Sequence, residues 1–314
     1  MKIKLYPPVA QPFRAQDYIL HEELKNAVEV AIALRQPLLL TGEPGTGKTK
    51  LAYKVALDLA EQSGGAFADA PLIFNTKTTS SARDLFYTYD AVSHFQAANL
   101  KGTDGQSQRK TADFIELQAL GKAIAYTNPG KVDRTKFSTP LPDTPRSSVV
   151  LIDEIDKAPR DFTNDILDEI ENYRFSIKEQ DNYRIEKDTE RQILVIMTSN
   201  SEKNLPDPFL RRCVFYHIPF PDEDLLRDIV KTQLGGSTSF TDQALDRLIE
   251  RFNAVRKKAV RKAPATAELI AWLRILELHK FMEAPADKQR RMMLDNLSIL
   301  VKTREDLEAV SELF

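Results

Sequence analysis

Cysteine is nearly absent from the sequence, which has Cys213 as its only example in 314 residues. A disulfide framework and a cysteine metal cluster are therefore excluded, and a reducing compartment is expected. The four histidines are scattered without the spacing of metal ligands, at His21, His94, His217 and His279. The first residues lack the apolar core of a signal peptide, and no apolar stretch approaches bilayer length. We expect a soluble cytoplasmic protein without membrane insertion.

An excess of either charge is also missing, with 44 basic and 46 acidic residues and a formal net charge of -2. This balance gives no general reason to expect binding to nucleic acid or to a membrane surface. One local basic cluster, residues 256–258 with Arg261 and Lys262, could bind nucleic acid. Such clusters are more often solvated helix ends, and no regular aromatic residues accompany this one. Direct nucleic-acid binding is therefore disfavoured, although this basic cluster means that it is not excluded.

Apolar segments without polar alternation predict buried strands of a parallel sheet. They lie at 38–41, 71–75, 149–152, 193–197 and 214–218. Helical spacing predicts helices among them at 21–34, 48–62, 91–100, 114–126 and 163–171, and a hairpin with arms at 174–177 and 183–185. Helices alone are predicted after residue 221. The pattern favours an α/β domain over 1–221, with helices on both faces of its sheet, and a helical domain over 222–314.

The stretch GEPGTGKT, residues 42–49, has three glycines and a proline within eight residues, between a predicted strand and a predicted helix. It matches the P-loop pattern G-x-x-x-x-G-K-[ST]. Glycines let backbone N–H groups wrap around phosphates, and the helix that follows presents its positive end to the same charge. Lys48 is suited to the β- and γ-phosphates and Thr49 to Mg²⁺. The predicted nucleotide-binding residues are Gly42, Glu43, Pro44, Gly45, Thr46, Gly47, Lys48, Thr49 and Lys50.

Two carboxylates, Asp153 and Glu154, end the predicted strand 149–152. Ligands of such sheets bind at the carboxyl ends of the strands. Asp153 is suited to Mg²⁺ and Glu154 to general-base activation of water, although acidic residues also cap helices and Asp156 could do so here. Asn200 follows the strand 193–197 and could hold the attacking water, but taken alone an asparagine there is better explained by a turn.

The combination of these motifs resembles AAA+ ATPases, and finer features resemble the MoxR and dynein-related branch (AAA_5). They cover residues 16–300 and include LLLTGEPGTGKTKLA, VVLIDEIDKAPRDFTNDILDEIEN, VIMTSNSEKNLPDPFLRRCVF and APATAELIAWLRIL. The resemblance implies a P-loop NTPase fold, α/β with a parallel sheet core and a C-terminal all-helical lid. It also implies an ATPase that uses Mg²⁺, assembles as a homo-oligomeric ring of six, and remodels a protein client. Partners of this branch often contain a von Willebrand factor A domain.

Further roles follow only from the resemblance. Asn200 would be the sensor-1 residue, and Arg212, with Arg211 beside it, would be the arginine finger that acts on a neighbouring subunit's nucleotide. The alternative for both arginines is a weak surface salt bridge. Tyr18 and Ile19 would pack against the adenine ring.

Two other regions have counterparts in the family. Residues 161–191 would carry an insert and a hairpin that face the central pore, with Tyr173, Phe175 and Tyr183 either facing a partner or packing across the hairpin. The sensor-2 position is occupied by Ala267 rather than arginine, and Arg261 or Lys262 could act instead. No sensor-2 residue is assigned.

Two rival functions stay open. The chain could be the NTP-driven motor of a nucleic-acid-processing or restriction complex, some of which use GTP. It could instead be a slow nucleotide-dependent switch, although the presence of Glu154 argues against an inactive site. The absence of an N-K-x-D motif disfavours guanine specificity of the small-GTPase type. The client and its pathway cannot be read from the residues.

Overall fold

The structure is a computed structural model that describes residues 5–8, 12–99, 109–201, 205–235 and 238–313. Its contacts divide the chain into two compact units. We call them the sheet unit, Leu20–Thr41 with Lys48–His217, and the helical unit, Met1–Ile19 with Gly42–Gly47 and Ile218–Phe314. The division into domains at residue 221 stays a prediction.

The sheet has the strand order β2-β5-β8-β1-β9. Its neighbours β2 and β5, β5 and β8, and β8 and β1 pair in parallel. Two antiparallel pairs, β3 with β4 and β6 with β7, lie outside it. The strands are β1 (Leu38–Gly42), β2 (Leu72–Asn75), β3 (Tyr87–Tyr89), β4 (Ile115–Leu117), β5 (Ser148–Asp153), β6 (Arg174–Ile177), β7 (Tyr183–Glu186), β8 (Ile193–Thr198) and β9 (Val214–Ile218).

Helix α1 of the sheet unit begins at a side-chain cap and ends before a proline. The ring of His21 accepts a hydrogen bond from the Leu24 N–H at 3.3 Å and caps α1, which ends at Arg35 in a left-handed conformation (φ 54°) before Pro37. The helices of this unit are α1 (Glu22–Leu34), α2 (Lys48–Gln62), α3 (Ala91–Asn99), α4 (Ala119–Thr127), α5 (Arg160–Asn172) and α6 (Asp207–Leu210).

The core of the sheet unit is built on the central strands. Every residue of β8 is buried, and so are the first five residues of β5, which explains why these segments are apolar without alternation. Each fully buried leucine or isoleucine contributes about 1.5–3 kcal/mol relative to exposure. The same core takes in α4 and Phe162 of α5. The predicted strands and the five-stranded parallel core are confirmed.

An excursion at residues 87–117 was not predicted as such. Strands β3 and β4 pair over three residues each, from Tyr87 opposite Leu117 to Tyr89 opposite Ile115, and α3 lies between them in the chain. The helix predicted over 114–126 therefore begins only at Ala119. Residues 161–191 contain most of α5 and the β6–β7 hairpin, so the hairpin is present where it was predicted, and the insert that the resemblance implies there stays a prediction.

The helical unit contains α7 (Glu223–Leu234), α8 (Asp242–Lys258), α9 (Thr266–Leu278), α10 (Ala286–Asp295) and α11 (Arg304–Val310). Asp222 and Thr241 accept hydrogen bonds from the first turns of α7 and α8, as N-caps do. Its core surrounds Trp272, which is fully buried. Within the part of the chain that the structure describes, no helix is both long and apolar enough to cross a membrane.

Candidate functional site

The glycine loop, residues 42–47, belongs to the helical unit and follows β1. Its backbone requires glycine at two positions where side chains of the same unit approach closely. Gly45 has φ 82°, and a Cβ there would lie 2.8 Å from the Cβ of Ala265. Gly47 has φ 90°, and a Cβ there would lie 3.1 Å from the Tyr18 ring. Both conformations are strained for any other residue, so the shape of the loop depends on glycine at these two positions.

Lid residues lie directly against this loop within the helical unit. Arg256 forms an ion pair with Glu43, donates to the Pro264 carbonyl at 2.7 Å, and stacks 3.5 Å from the centre of the Phe220 ring. A Cβ added at Gly45 would also lie 3.8 Å from the Cβ of Ala267, the residue at the predicted sensor-2 position. The start of α9 therefore lies at the loop. The side chains there are the alanines Ala265 and Ala267, and the arginine that the family often has at the sensor-2 position is replaced by Ala267.

The basic cluster at residues 256–262 has acidic partners in the same unit. Lys258 pairs with Glu312 at 3.1 Å and Arg261 with Glu305 at 2.7 Å. The buried Asp306 accepts backbone hydrogen bonds from residues 260–262, and these bonds lower the pKa of its carboxyl. The cluster is thus partly neutralised, which favours its structural interpretation over nucleic-acid binding.

In the sheet unit, α2 begins with the last two residues of the P-loop pattern. Lys48 is 7 % exposed, and Thr49 lies near the carboxylate that ends β5. The Thr49 hydroxyl donates to the Asp153 carboxylate, with 3.0 Å to Oδ1 and 3.2 Å to Oδ2. Two residues selected from separate motifs are therefore adjacent.

Thr198 completes this cluster and was not singled out from the sequence. Because Ile152 of β5 lies opposite Met197 of β8, the next residues, Asp153 and Thr198, are also neighbours. The Thr198 hydroxyl donates to Asp153 Oδ1 at 2.5 Å and accepts from the Glu154 N–H at 2.9 Å. Its side chain is 1 % exposed. The importance of Thr198 follows from the register of β5 with β8, and a single sequence does not reveal that register.

Glu154 adopts a left-handed conformation, φ 57°, directly after β5. Its carboxylate forms an ion pair with Lys157, and the hydrogen bond to Glu154 raises the pKa of Lys157. A non-glycine residue at positive φ is strained, and such residues cluster at functional sites.

Asn200 follows β8 and is exposed. Its backbone N–H donates to Asp156 Oδ1 at 3.3 Å, which ties the loop after β8 to the loop after β5. Its predicted sensor-1 role belongs to the side chain and stays a prediction.

The two arginines assigned to the finger follow α6 and are both exposed. Arg212 Nε lies 3.2 Å from Glu171 Oε1 at the end of α5, with both side chains about half exposed. Exposed pairs of this kind contribute little, about 0–1 kcal/mol, so Arg212 can leave Glu171 at small cost.

The three hairpin aromatics pack inside the sheet unit instead of projecting. Phe175 is buried and stacks 5.0 Å from the Phe86 ring. The Tyr183 hydroxyl accepts from the Asp133 N–H at 2.7 Å, and the Tyr173 hydroxyl donates to the Ile193 carbonyl at 3.3 Å. The packing interpretation of the three residues is favoured over a partner-facing one.

The donor set at Thr49 and Asp153 fits Mg²⁺. A hydroxyl and a carboxylate are hard oxygen ligands, and Mg²⁺ sites commonly use one or two protein oxygens, with waters and substrate phosphates filling the remaining positions. Among the described residues no group of three or more His, Cys, Asp or Glu could hold a metal by protein ligands alone.

Three known proteins are similar to this chain. The chain is 26% identical over 253 residues to Lon protease of Malacoplasma penetrans (strain HF-2), covering 74% of this chain and 26% of that protein, so it spans about a quarter of that relative. A RuvB variant from Thermotoga maritima is similar in structure at 16% identity, with 91% of this chain and 69% of that one covered and a TM-score of 0.46. A structure from a study of katanin self-assembly has 14% identity, coverage of 95% and 83%, and a TM-score of 0.42.

A family model matches directly over more than half of the chain. It describes the AAA domain of the dynein-related subfamily and covers residues 37–213, from the residue before β1 to the residue before β9. The matched span holds the P-loop stretch, Asp153, Glu154, Thr198 and both arginines. The chain belongs to the AAA domain family, dynein-related subfamily.

Proposed function

We propose that this protein is a Mg²⁺-dependent ATPase. The observation that carries the proposal is the hydrogen bond from Thr49 to Asp153, which brings the last residue of the P-loop pattern to the carboxylate at the end of β5. These are the two protein groups that P-loop NTPases use beside a metal bound to nucleotide phosphates. The family match supports the same activity.

Each group then has a chemical task. The P-loop residues would supply N–H groups to the phosphates, and the Lys48 ammonium would offset their negative charge. Thr49 and Asp153 would hold Mg²⁺, which when bound offsets the charge that develops on the β- and γ-phosphate oxygens. Tyr18, which lies against Gly47, and Ile19 remain the candidates beside the adenine ring.

Glu154 is the proposed general base. It takes a proton from the water that attacks the γ-phosphorus, while Asn200 orients that water. Its ion pair with Lys157 must open or shift for the carboxylate to reach the water. Since both side chains are almost half exposed, that rearrangement costs little.

The finer assignment rests on the resemblance to the MoxR branch. We propose that copies of this chain form a ring of six in the cytoplasm, with Arg212 of one subunit stabilising the transferring phosphoryl group on the next. ATP turnover would remodel a protein client in a chaperone-like manner, and a von Willebrand factor A domain protein is the candidate partner. The exposure of Arg212 at the end of α6 supports a role outside its own subunit.

Two substitutions test the site itself. Lys48→Ala removes the charge at the phosphates, so we expect fluorescent ATP binding to weaken by at least about tenfold. Glu154→Gln keeps the charge contacts to phosphate and removes the base, so ATP should still bind while phosphate release falls by about 10²–10⁴-fold. Unchanged ATP affinity in Lys48→Ala would contradict the P-loop assignment, and unchanged turnover in Glu154→Gln would remove Glu154 from the mechanism.

Ring assembly has a separate measurement, the hydrolysis rate per subunit against protein concentration. A rate that rises and then saturates supports sites shared between subunits. A flat rate together with a monomeric mass in ATP, measured by light scattering on Glu154→Gln, would contradict the ring and leave the ATPase proposal standing.

A further inference from the structure

A half-open pocket of about 250 Å³ lies in the sheet unit at the base of the β6–β7 hairpin. It is formed by the end of α1, the end of α5, the residues flanking the hairpin and the start of β8. Its lining includes Ile32, Arg35, Gln36, Tyr173, Lys187 and Gln192.

The pocket is distinct from the nucleotide site because of strand polarity. It reaches β8 at Ile193 and Leu194, where the strand begins. Asp153 and Thr198 lie where β5 and β8 end. A strand of six residues is about 20 Å long at ~3.3 Å per residue, so the pocket and the nucleotide site are at opposite edges of the sheet.

Two cations, Arg35 and Lys187, line this pocket. Burial and the Arg35 guanidinium lower the pKa of Lys187, while the Asp188 carboxylate acts in the opposite direction. Among the described residues no ion pair is formed by either of them. The Lys187 ammonium donates to the Asp188 carbonyl at 3.1 Å, which leaves its other protons for a ligand.

The nearby carboxylates are engaged elsewhere. Glu171, which also lines the pocket, pairs with Arg212 at 3.2 Å. Asp188 accepts from the Glu190 N–H at 2.8 Å and from the Asn128 side chain at 3.3 Å. Their charges still lie near the pocket, and Asp188 raises the pKa of Lys187 by a smaller effect than that by which Arg35 lowers it, so the positive charge of the pocket is offset only in part.

The two cations are held by an ordered frame. Lys187 N–H donates to the Tyr173 carbonyl at 3.0 Å, and the Lys187 ammonium lies 5.8 Å from the centre of the Tyr173 ring. Tyr173 and Arg35 both have positive φ, 44° and 54°, which is uncommon for residues other than glycine. The aromatic ring and Ile32 give the pocket an apolar wall beside its charges.

We propose that this pocket binds a carboxylate that carries a short apolar group, with the carboxylate between Arg35 and Lys187. Arginine and lysine form charge-assisted hydrogen bonds to carboxylates. The apolar wall favours an organic acid over inorganic phosphate, which has no apolar group to place against it. The volume lies below the ~300–1,000 Å³ of drug-sized sites, so a small acid or the last residue of a polypeptide fits.

The test compares acids with their amides on the full chain, by calorimetric titration without nucleotide. The first pair of probes is 3-phenylpropionate and 3-phenylpropanamide. The second is a five-residue peptide ending in leucine, as free acid and as C-terminal amide, and inorganic phosphate is titrated beside both. We expect at least one acid to bind about tenfold or more tightly than its amide and than phosphate, with binding that weakens as salt rises.

The pattern distinguishes the two sources. Binding of 3-phenylpropionate alone indicates a free small acid, and binding of the peptide acid alone indicates a polypeptide carboxyl terminus. Three outcomes would overturn the proposal. They are equal binding of acid and amide, tighter binding of phosphate, and no binding of either acid at a concentration of about 10 mM. None of these outcomes depends on ATP hydrolysis, so they are separate from a failure of the proposed function.

Variants locate the binding. Lys187→Gln and Arg35→Gln should each weaken the acid by about tenfold, Lys187→Arg should retain binding, and the exposed Lys131→Gln should leave it unchanged as the charge-matched control. Thermal unfolding identifies a variant that has not folded. Acid binding that survives in folded Lys187→Gln and Arg35→Gln would place the ligand elsewhere and overturn the assignment.

Discussion

The Thr49 hydroxyl donates to Asp153 Oδ1 at 3.0 Å, although 104 positions separate the two residues in the chain. The contact exists because α2 begins beside the end of β5, where parallel strands present their carboxyl ends together. Asp153 also accepts from Thr198, so its position is fixed from two sides. A preorganised pair of oxygen ligands is what a metal bound with phosphates requires.

The Thr49 hydroxyl should therefore determine the response to Mg²⁺. Thr49→Ala removes one oxygen ligand, and we expect the Mg²⁺ concentration for half-maximal ATP hydrolysis to rise by about tenfold or more. Thr49→Ser keeps the hydroxyl and should stay close to the unsubstituted protein. Phosphate release measured against Mg²⁺ at saturating ATP distinguishes the two variants. An equal Mg²⁺ requirement in both variants would contradict the assignment of Thr49 as a metal ligand.

Thr198 should matter to both stability and turnover. Thr198→Val keeps the shape but leaves the part-buried Glu154 N–H and one Asp153 oxygen without this partner. An unsatisfied buried group costs about 1–3 kcal/mol, and the loss should appear as a lower urea midpoint. We also expect slower hydrolysis, because both carboxylate residues lose their support. Thr198→Ser retains the hydroxyl as the control, and a Val variant as active as the Ser variant would contradict the positioning role.

Much of the fold could be predicted because its central strands are buried on both faces. Val149 to Ile152 are all fully buried, so their apolar run needed no alternation to be recognised. Strands β3 and β4 were not predicted because three residues are too few for a period. Ile115 and Leu117 are both buried, and their spacing was assigned to a helix. Their pairing with Tyr89 and Tyr87 in space decided the outcome.

The candidate site was predictable only where a local pattern carries its chemistry. The spacing from Gly42 to Thr49 is such a pattern, and Asp153 follows an apolar strand. Thr198 could not be found in this way because its importance comes from the register of β5 with β8. The cations Arg35 and Lys187 are 152 positions apart, and tertiary packing alone brings them to one pocket.

Arg212 should contribute far more to hydrolysis than to folding. Its ion pair with Glu171 is about half exposed, so Glu171→Gln should change the urea midpoint little and turnover by less than about twofold. An arginine finger accelerates phosphoryl transfer by about 10³–10⁵-fold, so Arg212→Ala should nearly abolish phosphate release at saturating ATP. Arg211→Ala is the neighbouring control, and a larger loss there would move the assignment to Arg211.

Mixed assemblies test whether Arg212 acts between subunits. Arg212→Ala subunits keep an intact P-loop, and Lys48→Ala subunits keep the arginine. Mixing them should recover a fraction of the activity that neither has alone. If a mass measurement shows that mixed oligomers form, and these oligomers stay inactive, the arginine does not act on a neighbouring subunit.

Gly121 should be the position where one added methyl group is most damaging in the sheet unit. A Cβ at Gly121, inside α4, would lie 2.0 Å from the Phe86 carbonyl oxygen, which already accepts from Gln118 N–H at 2.8 Å. Alanine gains about 1 kcal/mol of helix propensity over glycine, but overpacking against a backbone that cannot retreat costs about 3 kcal/mol. We expect Gly121→Ala to lower the urea midpoint, while Gly130→Ala, whose Cβ meets nothing within 4 Å, should not. Equal midpoints for the two variants would mean that α4 can move away from Phe86.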